Sequence, residues 1–184
     1  MPGLSLPRYL RPGLRAVFIG ANPSVYSAGA GHYYARPGNA FWRQLSASGL
    51  VERTVGPEDD ALLLDEAGIG FTDLCSRPTV RAGELTRAEI IDGVHRLDGE
   101  LLENQPQVAV FNSRDIYQQF SRHVLSLSTK DLAGRQYGPQ PEHIGETILW
   151  VIPSSSGLAS KWHRERAEWL RELAGELAPP APGR

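Results

Sequence analysis

The stretch "FIGANPSVYSAGAGHYYARPGNAFW" (18–42) carries a short apolar run into a turn rich in small residues and aromatic rings. The run itself begins at "RAVFIG" (15–20), and three similar runs follow at 68–74, 107–112 and 147–153. Helical patterns separate most of these runs, and that alternation is typical of α/β proteins. Because the runs are almost continuously apolar, we predict parallel strands covered by helices on both faces.

Helical periodicity predicts five helices, at 39–49, 57–68, 86–105, 113–122 and 162–177. Their expected start signals are N-caps at Asn39, Thr86 and Ser113 and a first-turn proline at Pro57. In the third helix, one face repeats apolar side chains at spacings of four, three and four, which predicts a packing stripe of Ile90, Val94, Leu97 and Leu101. The segment 130–147 has no clear period and is expected to be a loop containing a hairpin.

Length and composition predict one domain in a reducing compartment. The 184 residues are 41% hydrophobic, which suffices for one core, and we expect a single domain over 1–178 and a disordered tail over 179–184. The single cysteine, Cys75, excludes an internal disulfide and cannot alone hold a four-thiolate cluster. We find no secretory signal core and no run of about 18 apolar residues. We therefore expect a soluble cytoplasmic protein with no membrane contact.

Three common chemistries fit the sequence poorly. The glycines of "GAGHYY" (29–34) lie about ten residues beyond the strand, whereas the dinucleotide fingerprint needs them in the tight turn itself. Serines and histidines late in the chain could form a hydrolase pair, but no G-x-S-x-G elbow is present. The five histidines show no H-x-x-x-H spacing, so we expect neither a metal site nor a cofactor.

Polar side chains collect where the predicted strands end. Asn22, Asp73 and Asn112 each lie at the end of a strand or just beyond it, and the run "PSSSGLASKW" (153–162) follows the last strand. In open parallel sheets, functional groups gather at the carboxyl ends of the strands. These four strand ends are therefore the predicted functional edge.

The same segments resemble the mismatch-specific uracil-DNA glycosylases, which are relatives of thymine-DNA glycosylase. The resemblance covers roughly residues 14–175 and rests on five motifs in order: G-x-N-P at 20–23, S-A-G-x-G at 27–31, P-x-N-x-F-W at 37–42, "SRPT" at 76–79 and P-x-x-S-G-L at 153–158. It implies a three-layer αβα sandwich with a central, mainly parallel sheet of four to five strands. It also implies hydrolysis of the N-glycosidic bond of a pyrimidine extruded from double-stranded DNA, with G:U mismatches as the substrate. We then expect a monomer that is associated with the nucleoid when bound to DNA.

For the chemistry, the resemblance implies that Asn22 orients the attacking water. An amide oxygen is too weak a base to take the proton fully, so we hypothesise that Asp73 shares or takes over water activation, or stabilises the sugar cation. A capping or turn role for Asp73 remains the alternative. Asn39 could support the pocket, although N-capping is the simpler interpretation.

For the pocket, the resemblance places Tyr34 at the position that stacks on the base. Backbone groups at Ala21 would line the pocket, and Ser27 would lie near C5 of the ring, where its small side chain leaves room for 5-substituents. Thymine and ethenocytosine therefore remain open as substrates beside uracil.

For DNA binding, Leu158 matches the residue that fills the space of the extruded nucleotide. Gly157 would contact the opposite guanine through its backbone, and Ser156, Lys161 and Arg164 are candidate phosphate contacts. Ser154 and Ser155 depart from the Asn-Pro that bacterial relatives commonly have, which leaves the requirement for guanine open. The net charge of -2 provides no long-range basic field, so local cations would have to anchor the DNA. A catalytically weak or inactive nucleic-acid or nucleotide-binding module on the same fold is the alternative function.

Overall fold

Five strands form one sheet in the computed structural model, which describes residues 5–177. They are β1 (Ala16–Gly20), β2 (Ile69–Asp73), β3 (Val108–Phe111), β4 (Gly138–Ile144) and β5 (Thr147–Val151). The strand order is β2-β1-β3-β5-β4, with β4 antiparallel to β5 and the other pairs parallel. The predicted α/β class with a mainly parallel four- to five-stranded sheet is confirmed.

Helices cover both faces of this sheet. They are α1 (Val25–Ala30), α2 (Phe41–Ser46), α3 (Leu63–Glu66), α4 (Arg87–Asn104), α5 (Arg114–Val124), α6 (Thr129–Leu132) and α7 (His163–Glu176). Two predicted N-caps are confirmed by side-chain bonds: the Thr86 hydroxyl accepts from Glu89 N, and the Ser113 hydroxyl accepts from Ile116 N. The predicted N-cap at Asn39 is wrong by one residue: α2 is capped at Ala40, and Asn39 Oδ1 accepts from Phe41 N from just before that cap. These bonds satisfy amide donors that a helix leaves unpaired at its N-terminus.

The predicted helix 57–68 is wrong in its extent. A 3₁₀ turn over Pro57–Asp59 is followed by a break before α3, although Pro57 does lie in the first turn as expected. The buried Asp60 carboxylate accepts hydrogen bonds from Ala61 N at 2.7 Å and from Tyr33 N at 2.9 Å. An aspartate that bonds nearby backbone amides competes with the helical ladder, and here that competition interrupts the helix.

Two further segments differ in detail from the sequence-based expectation. The turn after Asn22 contains the short helix α1, which begins at the N-cap Ser24 and ends at Gly31 in the left-handed conformation. The hairpin expected within 130–147 is confirmed, since β4 and β5 pair through a turn at Gly145, and α6 precedes it. Short helices of this kind lack the length from which a periodic pattern can be read.

Alternate residues of the strands enter two separate hydrophobic cores. From β1, Phe18 packs on the side of α2 and α7, whereas Val17 and Ile19 pack on the side of α4 and α5. The predicted stripe of α4 is confirmed: Val94, Leu97 and Leu101 are buried in the second core, and Ile90 packs against it partly buried. One core on each face of the sheet makes the three-layer arrangement.

The parallel strands bring their carboxyl ends to one edge. Gly20 and Asp73 are register partners, and β3 and β5 end beside β1 on its other flank. No helix within residues 5–177 combines the length and apolar character needed to cross a bilayer. The predicted tail 179–184 lies outside the described residues.

Candidate active site

Three oxygen atoms hold the side-chain amide of Asn22 just beyond β1. Its Nδ2 donates to the Thr79 hydroxyl at 2.7 Å, to the Arg77 carbonyl at 2.8 Å and to the Pro23 carbonyl at 3.3 Å. Because carbonyl oxygens can only accept, they identify this amide atom as nitrogen. No group among residues 5–177 donates to Asn22 Oδ1. The amide is therefore fixed in orientation with its oxygen left to accept a hydrogen bond from a water molecule or a ligand.

The carboxyl group of Asp73 lies against the end of β1. A Cβ atom at Gly20 would overlap Asp73 Oδ1, so only glycine at position 20 lets the carboxyl group occupy this place. Asp73 is 8% exposed, and burial raises the pKa of its carboxyl group to about 7, although Arg96 and Arg8 act to lower it. A carboxyl group that titrates near neutral pH can take up and release a proton under physiological conditions.

Tyr34 brings a flat ring and a buried hydroxyl to the same place. Its ring stacks on Phe41, with the centroids 4.0 Å apart and the planes 14° apart. Its hydroxyl oxygen lies 3.4 Å from the position that a Gly20 Cβ would occupy. It makes no hydrogen bond of good geometry among residues 5–177, although the Asn112 side chain lies close enough to interact with it. Burial and the Asp73 charge both raise the pKa of the phenol, which keeps it protonated. Tyr34 has φ +51°, a strained backbone conformation for an aromatic residue and one that functional sites often retain.

The ends of β3 and β5 join the site through Asn112 and Ser155. Asn112 Nδ2 donates to the Ser155 hydroxyl at 3.1 Å, and the Ser155 carbonyl accepts from Ala40 N at 2.9 Å. Asn112 Oδ1 is buried and has no partner within the described part of the chain. Buried polar atoms are nearly always hydrogen-bonded. Asn112 Oδ1 and Tyr34 Oη are both buried at this edge without a hydrogen bond of good geometry in residues 5–177, and the two side chains interact with each other.

The loop after β5 projects one apolar side chain. Leu158 is 96% exposed at the start of the short 3₁₀ helix Gly157–Trp162. The Ser156 hydroxyl accepts from Leu158 N at 3.3 Å, and the Ser156 carbonyl bonds His163 Nε2 at 2.9 Å. Lys161 Nζ lies 5.1 Å from the Trp162 ring centroid. The loop is thus braced from within, with its leucine projecting from the molecular surface.

Two of the predicted pocket residues make structural contacts as well. The Ala21 carbonyl accepts from Cys75 N at 2.8 Å and so extends the β1–β2 pairing. The buried Ser27 hydroxyl accepts from Ala35 N at 3.2 Å and bonds the Ser24 hydroxyl at 3.1 Å. Ser27 therefore holds α1 against the segment that carries Tyr34, and its predicted place near C5 of the base stays a prediction.

Sequence reasoning missed Thr79 as the anchor of Asn22 and Phe41 as the support of Tyr34. Both lie in quoted motifs, "SRPT" and P-x-N-x-F-W, but the motifs themselves do not say which residues touch. No group of three His, Cys, Asp or Glu within residues 5–177 is placed to hold a metal ion. A cavity of about 800 Å³, lined by Arg15, Leu50 and Ala67 among others, lies at the opposite edge of the sheet, where β1 and β2 begin.

Comparison with known proteins agrees with this architecture. Residues 7–178 match the model of the uracil DNA glycosylase superfamily. The fold is similar to the solution NMR structure of a protein from Methanosarcina acetivorans that is provisionally assigned as a uracil DNA glycosylase, with a TM-score of 0.61 and 22% identity over 93% of this chain and 98% of the other. At that identity the structural likeness speaks for the fold alone.

Proposed function

Because this chain belongs to the uracil DNA glycosylase superfamily, we propose that it is a monofunctional DNA glycosylase that releases uracil from G-mismatched double-stranded DNA. The observation that carries the proposal is the fixed amide of Asn22, whose free Oδ1 lies at the same sheet edge as the buried carboxyl group of Asp73. An orienting acceptor beside a group that titrates near neutral pH is what activation of a water molecule requires.

The proposed reaction begins with extrusion of the uracil nucleotide from the duplex. Asn22 Oδ1 accepts a hydrogen bond from a water molecule, and the ionised Asp73 carboxylate takes its proton as the water oxygen bonds to C1′ of the sugar. The bond between C1′ and N1 breaks, and its electron pair leaves with the base. The backbone N–H groups of Ala21, Asn22 and Ser24 are the proposed donors to the resulting pyrimidine anion, since Pro23 has no N–H group.

The ring of Tyr34, backed by Phe41, is the proposed stacking surface for the extruded base. Leu158 is the proposed wedge that fills the space the nucleotide leaves, since an exposed leucine on a braced loop can enter the base stack. Ser156, Gly157 and Lys161 lie beside it and are the proposed DNA contacts. Whether bases other than uracil are released, and whether an opposing guanine is needed, is decided by the substrate comparison below.

The function is tested by incubating the protein with matched oligonucleotide duplexes that contain G:U, A:U or G:T, and with the single strand. We expect free uracil and an alkali-labile abasic site from G:U, with slower release from the other substrates. Binding of G:U duplex without any release would contradict the glycosylase proposal and favour the alternative of a non-catalytic binding module. Equal rates on G:U and A:U would contradict the mismatch preference alone.

Replacing Thr79 with valine is expected to lower the single-turnover rate on G:U duplex about 10-fold, because Asn22 loses its shortest bond and its oxygen is no longer held in one direction. Thr79→Ser keeps the hydroxyl group and is the matched control, with a rate within about twofold of the wild type. Rapid-quench measurement of uracil release gives both values. An equal loss of rate in Thr79→Val and Thr79→Ser would show that the Thr79 hydroxyl group does not orient Asn22 for catalysis.

Replacing Leu158 with alanine is expected to lower the rate of base release about 10-fold and to leave stability unchanged, because a side chain that is 96% exposed packs against little of the folded protein. The control is Leu102→Ala, a change of the same exposed residue type on α4, away from the carboxyl edge of the sheet. Fluorescence of 2-aminopurine beside the uracil reports base extrusion. Unchanged extrusion and release in Leu158→Ala would remove the wedge from the mechanism.

A further inference from the structure

Arg166 of α7 is a fully buried arginine with an incomplete set of partners. Its side chain is 0% exposed, and Nη1 donates to the Pro153 carbonyl at 3.2 Å. Nε and Nη2 have no hydrogen-bond partner among residues 5–177, and no carboxylate in that range forms an ion pair with the guanidinium group.

A buried charge without a counter-ion is costly to the folded state, and an apolar side chain of similar length at this position would avoid that cost. Burial lowers the pKa of Arg166 to about 9, which leaves the group charged at neutral pH. Stability of the fold alone therefore does not account for an arginine here.

The Arg166 guanidinium group lies close to the aromatic rings of the candidate site. The guanidinium carbon lies 5.5 Å from the centroid of the Phe41 ring, and Phe41 in turn stacks on Tyr34 at 4.0 Å. The Pro153 carbonyl, which accepts the hydrogen bond from Arg166 Nη1, begins the turn that leads to Leu158. Arg166 thus lies beside the aromatic stack that the proposed function assigns to the extruded base.

We propose that Arg166 is a positioning residue whose unpaired buried charge, acting across the Phe41–Tyr34 stack, stabilises the negative charge that develops on the departing pyrimidine. The inference rests on the proposed function. In the ground state the base is neutral and gains little from a nearby cation, whereas in the transition state it carries much of an electron pair. A charge already in place therefore favours the transition state selectively. Its influence is not cancelled locally, because no carboxylate among residues 5–177 pairs with it.

The test compares leaving groups of different acidity in otherwise identical G-opposed duplexes, one with uracil and one with 5-fluorouracil. Fluorine withdraws electrons, so the 5-fluorouracil anion is stable with less help from the protein. We expect Arg166→Met to slow uracil release about 10- to 100-fold, somewhat less than the loss of a direct oxyanion donor. The fold-reduction that Arg166→Met causes in 5-fluorouracil release should be several times smaller than the fold-reduction in uracil release. Arg166→Lys keeps the charge and should recover most of the wild-type rate on uracil.

Arg171→Met, an exposed change on the same helix, is the control and should leave both rates unaltered. Equal slowing of the two substrates by Arg166→Met would overturn the proposal and show that Arg166 only holds the turn at Pro153. Unchanged rates would overturn it as well. If Arg166→Met fails to give a cooperative thermal transition, Arg166→Gln decides by the same rate ratio. Absence of base release by the wild-type protein would instead contradict the proposed function.

Discussion

Asp73→Asn is expected to slow uracil release from a G:U duplex about 10²- to 10⁴-fold, the range typical of losing a general base. Asparagine has nearly the same shape as aspartate, so the close approach to Gly20 is kept while the ability to take a proton is lost. Single-turnover kinetics with enzyme in excess measure the chemical step. A rate within about threefold of the wild type would remove Asp73 from the mechanism and leave it a structural residue of the strand end.

The pH profile supplies a second readout for the same change. The active form of Asp73 is the carboxylate, and its pKa is raised to about 7. The wild-type rate should therefore rise with pH up to about 7 and level off above it, whereas the rate of the asparagine variant should lack this rise. Asp65→Asn is the matched control, since that side chain is 91% exposed and pairs with Arg11 at 3.3 Å. The control should keep both the rate and the shape of the profile.

The raised pKa of Asp73 also has a consequence for stability that does not depend on catalysis. Between about pH 4 and pH 7 the folded protein keeps a proton on Asp73 that the unfolded chain releases, so folding stability from this group falls as the pH rises through that window. The cost at pH 8 is on the order of 4 kcal/mol, because the pKa is raised to about 7 in the folded protein. Asp73→Asn should therefore raise the free energy of unfolding at pH 8 relative to pH 4. Equal effects at the two pH values in chemical denaturation would contradict a raised pKa.

Replacing Asn22 with alanine is expected to lower the single-turnover rate about 10²- to 10³-fold, because the attacking water loses the acceptor that orients it. The residual rate should still rise with pH, since Asp73 remains. Binding of a duplex with a non-hydrolysable 2′-fluoro-uridine should weaken only slightly, because Asn22 bonds Thr79 and two backbone carbonyls and leaves the stacking surface of Tyr34 intact. Asn104→Ala, at the distant end of α4, is the control and should leave the rate unchanged.

The double variant Asn22→Ala with Asp73→Asn separates cooperation from independence. If both groups act on one water molecule, the combined loss should be smaller than the product of the single losses. Losses that multiply would show that the two residues act on different steps, for instance Asp73 on the sugar cation instead of the water. The comparison requires that the single and double variants are folded, which a cooperative transition in thermal denaturation establishes.

The regular elements could largely be predicted because their signals are local. Apolar runs marked β1, β2, β3 and β5, and the capping residues Thr86 and Ser113 marked the starts of α4 and α5. The helix predicted over 57–68 was wrong because a contact between Asp60 and Tyr33, 27 residues apart, helps hold the carboxylate that interrupts it. No local pattern contains that contact.

The candidate site likewise contains features that have a local sequence signal and features that have none. The location of Asn22 and Asp73 at one edge of the sheet could be predicted, because Asn22 follows β1, Asp73 ends β2, and parallel strands that pair bring their ends together. Their roles in catalysis stay predictions. The bonds from Asn22 to Arg77 and Thr79 and the stack of Tyr34 on Phe41 have no local signal.

The sequence by itself therefore determined the class of fold, the edge at which chemistry gathers and the residue types available there, because hydrophobic periodicity and strand ends are properties of short segments. Only the tertiary structure decided which way the Asn22 amide points, that Asp73 is buried deeply enough to titrate near neutral pH, and that Arg166 carries an unpaired charge beside the aromatic stack. The physical reason is that orientation, desolvation and pairing depend on atoms from distant parts of the chain, and these meet only when the sheet and its covering helices have packed.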